Sequence, residues 1–180
     1  MVGPGVNLAS YETVFDALLT TNVQENAFVS GNAFSYEDYL TYSTDEVKNF
    51  IFDPTAFTGE NLVVTPPQFS STGGPITVEY FAGATADNDG TLLGVSNRRG
   101  TSLKPNQAIL RLNPSNISAG SKFSGRLIPA NSQNPANAIG NSGGSFLPFE
   151  LDCRVKYLIR ITNTDGDGIL VQTDFTWLEI

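Results

Sequence analysis

Residues 149–180 read FELDCRVKYLIRITNTDGDGILVQTDFTWLEI. From Phe149 to Thr162 the side chains alternate. Phe149, Leu151, Cys153, Val155, Tyr157, Ile159 and Ile161 fall on one parity, and Glu150, Asp152, Arg154, Lys156, Leu158, Arg160 and Thr162 on the other. Successive side chains of a strand point to opposite faces, so this pattern predicts one fourteen-residue strand with a core face and an outer face. Asn163 to Gly168 contains two Asp-Gly pairs, which favour positive φ and predict a hairpin turn. Ile169 to Ile180 returns with Ile169, Val171, Phe175 and Trp177 on one side. Tyr157, Phe175 and Trp177 are read as core, and the C-terminus as held in the sheet.

Outward from this stretch the β pattern continues. Ile76–Ala82 alternates, and Ala108–Leu112 and Lys122–Ile128 read as further strands. Leu62-Val63-Val64 is a short apolar run that Pro66-Pro67 should stop. Lys48–Phe52 begins the body, and Asp53-Pro54 ends that strand. Short strands separated by turn signals predict an all-β protein, with a β-sandwich (jelly-roll-like) body over residues 47–180. Pro129–Ser145 (PANSQNPANAIGNSGGS) is the longest loop expected.

Residues 1–46 differ, and are read as an N-terminal extended arm containing a short helix. After Ser10, a plausible N-cap, Tyr11, Val14, Phe15, Leu18 and Leu19 recur at helical spacing. A helix of that length is marginal alone in water, so its apolar face needs a docking surface. Ser43 and Glu46 have the spacing of a capping box and predict a single helical turn. The formal charge of −8 is concentrated here. Residues 1–60 hold nine acids and one base, Lys48, whereas residues 61–180 hold nine of each. Such asymmetry points either to a segment with its own, basic, partner surface or to acids that merely keep this segment soluble.

The chain has no His and one Cys, Cys153. That removes Ser-His-Asp and Cys-His catalysis, imidazole metal sites, zinc clusters and an intrachain disulfide. Gly140-Asn141-Ser142-Gly143-Gly144 matches a nucleophile elbow in letters only, because that motif needs a strand, a helix and a His. Asp87-Asn88-Asp89-Gly90 and Asp165-Gly166-Asp167-Gly168 lack the acidic twelfth residue of a calcium loop and are read as turns. A carboxylate pair for glycoside hydrolysis would have to come from Glu79, Glu150 and Asp152, whose simpler reading is a solvated face. Arg98-Arg99, in SNRRGTS, offers guanidinium forks either to a partner's carboxylate or to Asp87 or Asp89. Asn116-Ile117-Ser118 has the letters of a glycosylation acceptor, but MVGPGVNLAS predicts no secretory signal. No apolar run approaches the roughly 18 residues of a membrane helix, and the acidic balance argues against nucleic acid. We therefore expect no enzyme, no cofactor and no metal.

Three stretches carry a resemblance: GTLLGVSNRRGTS, LRLNPSNISAGSKFSGRLIPA and the closing LPFELDCRVKYLIRITNTDGDGILVQTDFTWLEI. The last resembles the final strands of small virion proteins of tailed bacteriophages, with Tyr157-Leu158-Ile159-Arg160-Ile161-Thr162-Asn163 before a turn and Trp177 near the end. Over residues 47–180 the chain is similar to capsid decoration, or cement, proteins. The resemblance implies a β-sandwich on the outer surface of a capsid, bound to the phage major capsid protein, as a homo-oligomer and by family habit a homotrimer. It implies no catalytic residues. Tyr11, Phe15, Leu18, Leu19, Arg98 and Arg99 are the expected docking residues. An alternative expectation is an adhesion module, such as a fibre tip that binds host glycan through residues 129–145.

Overall fold

The computed structural model describes residues 25–59, 61–101, 104–129 and 149–180. The predicted helix after Ser10 and the loop from residue 130 to 145 lie outside them. A short helix, α1 (residues 25–29), precedes eleven strands. These are β1 (Ala33–Tyr42), β2 (Val47–Asp53), β3 (Leu62–Thr72), β4 (Ile76–Ala82), β5 (Thr91–Leu92), β6 (Ser96–Asn97), β7 (Ile109–Leu112), β8 (Ser121–Ile128), β9 (Phe149–Glu150), β10 (Tyr157–Asn163) and β11 (Ile169–Glu179).

They form two antiparallel sheets, ordered β6-β1-β11-β3-β9 and β5-β7-β2-β10-β4-β8. The pairs are nested: β1 with β11, β2 with β10, β3 with β9 and β4 with β8. The chain thus behaves as one long hairpin whose two arms wind up together. The β11–β3 and β10–β4 pairings close the winding into two sheets. This is the jelly-roll arrangement, two four-stranded sheets face to face, with β5, β6 and β7 inserted between the fourth and fifth strands of the roll. The all-β sandwich read from the alternation is therefore the fold.

The core is the space between the sheets. The parity of β11 sends Ile169, Val171, Thr173, Phe175, Trp177 and Glu179 inward, and all six are buried. Phe175 stands 5.2 Å from Phe50 and 5.6 Å from Phe69, ring centre to ring centre, and Trp177 stands 5.3 Å from Phe52 and 6.1 Å from Phe34. Tyr157 is buried as well, so the three aromatics read as core are core. A smaller apolar cluster, Ile51, Phe81, Ala84 and Leu158, lies on the outer face of the six-stranded sheet. The long β4–β8 connection folds back over it, with bridges Thr85–Ser118 and Asn88–Ser115. Gly120 lets that connection leave the sheet: its φ is +77°, and a Cβ there would meet the Ala82 carbonyl oxygen at 2.2 Å.

Five expectations are corrected. First, residues 149–162 are not one strand. The chain turns at Asp152–Val155 and passes from β9 in one sheet to β10 in the other. The Asp152 carboxylate accepts the Arg154 backbone N–H at 2.9 Å and grips its guanidinium, while the Tyr157 hydroxyl accepts the Asp152 N–H. Alternation survives the corner because both sheets bury the same parity.

Second, Asn163–Gly168 is not a hairpin turn, since β10 and β11 lie in different sheets. It is a crossover, stitched to the β1–β2 crossover. The buried Asn163 amide donates to the Ser43 and Asp167 carbonyls, and Thr44 Oγ1 donates to the Gly166 carbonyl. Third, Ser43–Glu46 forms a tight turn and no helix, although the Glu46 carboxylate does accept the Ser43 N–H at 2.7 Å.

Fourth, Pro66-Pro67 does not end β3. The register slips between Asp174 and Thr176 of β11, so two β3 residues face one, a β-bulge. The far side of β3 pairs with β9 only at Val63 and Val64. Past that point no partner among the described residues needs the missing proline N–H. Fifth, the boundary expected at residue 46 does not bound the sandwich. Residues 33–42 are β1, bonded along its whole length to β11. Aromatics at Phe34, Tyr36 and Tyr42 on one parity mark the strand, and the intervening Asp38 hides the period.

Candidate functional site

The expected docking residues separate by position. Tyr11, Phe15, Leu18 and Leu19 lie outside the described residues. Arg98 and Arg99 follow β6 and are exposed. Neither neutralises Asp87 or Asp89. Asp87 accepts from the Asn116 amide at 2.7 Å, and Asp89 pairs with Lys156 at 2.5 Å. The Arg98 backbone N–H is fixed to the Ala33 carbonyl at 2.9 Å, and its Nη1 reaches Thr176 Oγ1 at 3.4 Å. Its side chain therefore lies across β1 on the outer face of the five-stranded sheet.

There it borders a groove of about 190 Å³. The floor is two cross-strand rows, Ala33–Leu178–Val63 and Thr176–Thr65, and α1 supplies Phe28 as a wall. Ala27 of α1 packs on Ala33 and Leu178, which fixes the helix there. Lys104 reaches Asn32 Oδ1 just past α1. The groove is thus largely apolar inside, with the Arg98 guanidinium at its rim. Sequence reasoning found Arg98 but missed Phe28, Val63 and Leu178, because an apolar patch on a strand's outer parity looks like noise until the register aligns three of them.

Farther along the same face Glu37 of β1 stands opposite Asp174 of β11. Glu37 accepts from the Gln172 amide and Asp174 from the Thr176 hydroxyl, and neither forms an ion pair among the described residues. Like charges directly opposite weaken a sheet. Asp38, next to Glu37, accepts the Tyr39 N–H at 2.7 Å.

Of the three carboxylates considered for hydrolysis, Glu79 and Asp152 are engaged in ion pairs. Glu79 is bound to Lys122 at 2.6 Å and lies 4.0 Å from Arg160, and Asp152 is bound to Arg154 at 2.8 Å in the turn described above. The Glu150 side chain lies outside what the structure describes. Lys156 sits between Asp53 at 3.2 Å and Asp89 at 2.5 Å. Each of these charged groups is thus engaged by a neighbour within the fold.

They also set its pH limits. At Asp53 burial opposes ionisation, but the Thr55 and Lys156 hydrogen bonds outweigh it and hold the carboxyl below its usual range. The Arg154 fork holds Asp152 at about 2, and Lys48 and Ser43 hold Glu46 low. For each, the unfolded chain takes up a proton at higher pH than the folded one. That stability is complete above the unfolded pKa near 4 and is lost as pH falls below it. Burial raises Tyr36, Tyr42 and Tyr80, the last to about 12 against the opposing Arg126 charge. Lys156 is raised as well, chiefly by its bond to Asp89. Their contribution is complete below the unfolded pKa near 10 and is lost above it. The urea midpoint should therefore stay flat from about pH 5 to about pH 8 and fall on both sides. A steep slope inside that plateau would contradict these assignments.

No family model matches the chain, and a search of the curated proteins gives no match.

Proposed function

We propose that this chain is a structural virion protein of a tailed bacteriophage. It decorates and stabilises the capsid by binding the lattice of the major capsid protein on the outer surface, as a homo-oligomer, a homotrimer by family habit. The observation that carries the reading is the opposed Glu37–Asp174 pair on the outer face of the five-stranded sheet. It weakens the sheet and forms no ion pair among the described residues, which is explained if a basic surface on another protein covers it. The engagement of Glu79 and Asp152 in ion pairs supports a non-enzymatic role. So does the sequence resemblance of the closing strands.

The mechanism is mass action. A protein that binds the assembled shell and not its separated subunits stabilises the shell. Repetition over the lattice turns many weak contacts into a durable coat. Two results test it. Occupancy on purified capsids should fall as salt rises, because exposed charge pairs are screened beyond about 8–10 Å at 0.10–0.15 M salt. Deleting residues 1–20 should lower both occupancy and the resistance of the capsid to heat. Occupancy indifferent to salt and to the deletion would overturn the reading.

A further inference from the structure

The outer face of the five-stranded sheet carries its chemistry in a fixed order along the strands. We infer that this face binds an extended segment of a partner protein. The segment presents an apolar, an acidic and a basic side chain at alternate positions, i, i+2 and i+4. The inference deepens the proposed function, and rests on it for the basic partner group set over Glu37 and Asp174.

Three observations carry it. The first is register. Ala33 stands opposite Leu178, Ser35 opposite Thr176 and Glu37 opposite Asp174. These are successive cross-strand rows on one face, about 6.7 Å apart along the strands. An extended chain laid along them has the same step, so its alternate side chains fall on successive rows. The second observation is the order of the rows. The first row floors the groove of about 190 Å³ beside Phe28, a volume for one large apolar side chain. Over the second lies a guanidinium, with Arg98 Nη1 3.4 Å from Thr176 Oγ1. The third row is the Glu37–Asp174 pair. The face thus reads apolar, positive, negative, and its complement reads apolar, acidic, basic.

The third observation is that these groups leave their charge unspent. Arg98 and the acidic pair lie one row apart, yet neither Arg98, Glu37 nor Asp174 forms an ion pair among the described residues. Arg98 and Glu37 are exposed, and Phe28 is 47% exposed. The shape of the face selects a single chain over a second sheet. Ala27 of α1 packs on Ala33 and Leu178, so the helix stands above the first row. A flat sheet of a second copy would meet α1 before it met the rows, whereas one extended segment lies beside the helix. Each contact alone is weak, because exposed ion pairs contribute little. Repetition over a lattice makes such contacts sufficient.

The test uses the isotope-labelled full chain and two synthetic peptides. They are Gly-Ser-Phe-Ser-Glu-Ser-Lys-Ser-Gly and its reverse, Gly-Ser-Lys-Ser-Glu-Ser-Phe-Ser-Gly, since a chain can lie along the rows in either direction. At least one should bind, with NMR shift changes at Val63, Thr65 and Leu178 and at Glu37 and Asp174. Exchanging the Glu and Lys of that peptide should weaken binding roughly tenfold, because both exposed pairs then repel. Arg98→Glu should weaken the original peptide about fivefold, and a peptide with Lys in place of its Glu should recover the loss. Thr65→Trp, which fills the groove from its floor, should abolish binding of both. Arg98 is exposed and Thr65 half-buried, so an unchanged thermal midpoint confirms that each variant is folded. Binding of neither peptide would overturn the inference, as would binding indifferent to the Glu–Lys exchange or to both substitutions. Sedimentation that shows a wild-type oligomer lost in Arg98→Glu and Thr65→Trp would place a second copy on the face and overturn it too. No capsid is present, so failure here leaves the salt dependence of capsid occupancy standing, and absence from the capsid leaves the peptide pattern standing.

Discussion

Replacing Trp177 by Ala is expected to lower stability by about 4 kcal/mol. The indole is 1% exposed and lies where the two sheets face each other, against Phe34 on one side and Phe52 on the other. Truncation removes the transfer energy of the largest buried side chain and leaves a cavity that rigid neighbours on β1 and β2 cannot close. It also strips a donor from the buried Glu179, which accepts the indole N–H at 3.1 Å. For a chain of this length the thermal midpoint should fall by roughly 8–16 °C. Trp177→Phe separates the two contributions, since it keeps most of the packing and loses the hydrogen bond. Its cost should be nearer 2 kcal/mol. A Trp177→Ala midpoint within a few degrees of the wild type would mean that the aromatic contact between the sheets is not the centre of the core.

Glu179→Ala should cost about 3–4 kcal/mol, an unusual loss for removing a carboxylate one residue from the end of this sequence. Glu179 is 2% exposed and is the most buried charged residue among those described. Its carboxylate accepts the backbone N–H groups of Gln107 and Ala108 at 2.8–3.0 Å, as well as the Trp177 indole. Hydrogen bonds to an ionised group are about twice as strong as neutral ones. Here they pin the β6–β7 connection to the last turn of β11. Alanine would leave two buried donors, the Ala108 N–H and the Trp177 indole, and the part-buried Gln107 N–H without this acceptor. Glu179→Gln keeps one acceptor oxygen and should lose about half as much. Denaturant titration of the two variants gives the comparison. Equal midpoints for Ala and wild type would show that water replaces the carboxylate at no cost.

The contrast between what the residues announced and what they concealed is physical. β4, β7 and β11 were legible because each presents apolar side chains at period two to a single core. β1 was not. Its inward parity reads Phe34, Tyr36, Asp38, Leu40, Tyr42, and Asp38 breaks the period. The corner at Asp152–Val155 was hidden for the opposite reason: the period runs on through it. Pairing was the least legible property. Asn163–Gly168 carries strong turn chemistry, yet whether such a turn joins neighbours in one sheet or crosses between two depends on contacts with Ser43 and Thr44, more than a hundred residues away.

The site shows the same division. Arg98 was identifiable as an exposed cation in a loop, but the apolar floor beside it exists only once β1, β11 and β3 are in register. Glu179 shares the parity of Trp177 and Phe175, a signal present in the sequence. A carboxylate among aromatics is nevertheless ordinarily read as the end of a strand and not as its anchor. The Glu37–Asp174 opposition could not be read at all without the β1–β11 register.

The proposal that this protein coats a capsid is tested most directly by its location. Electron microscopy of the intact particle, with the full chain carried as a labelled copy, should place it at repeated positions over the outer capsid lattice, with its five-stranded sheet against a basic surface of the major capsid protein. Density confined to the tail or a fibre tip, or absence of the protein from the particle, would contradict the account.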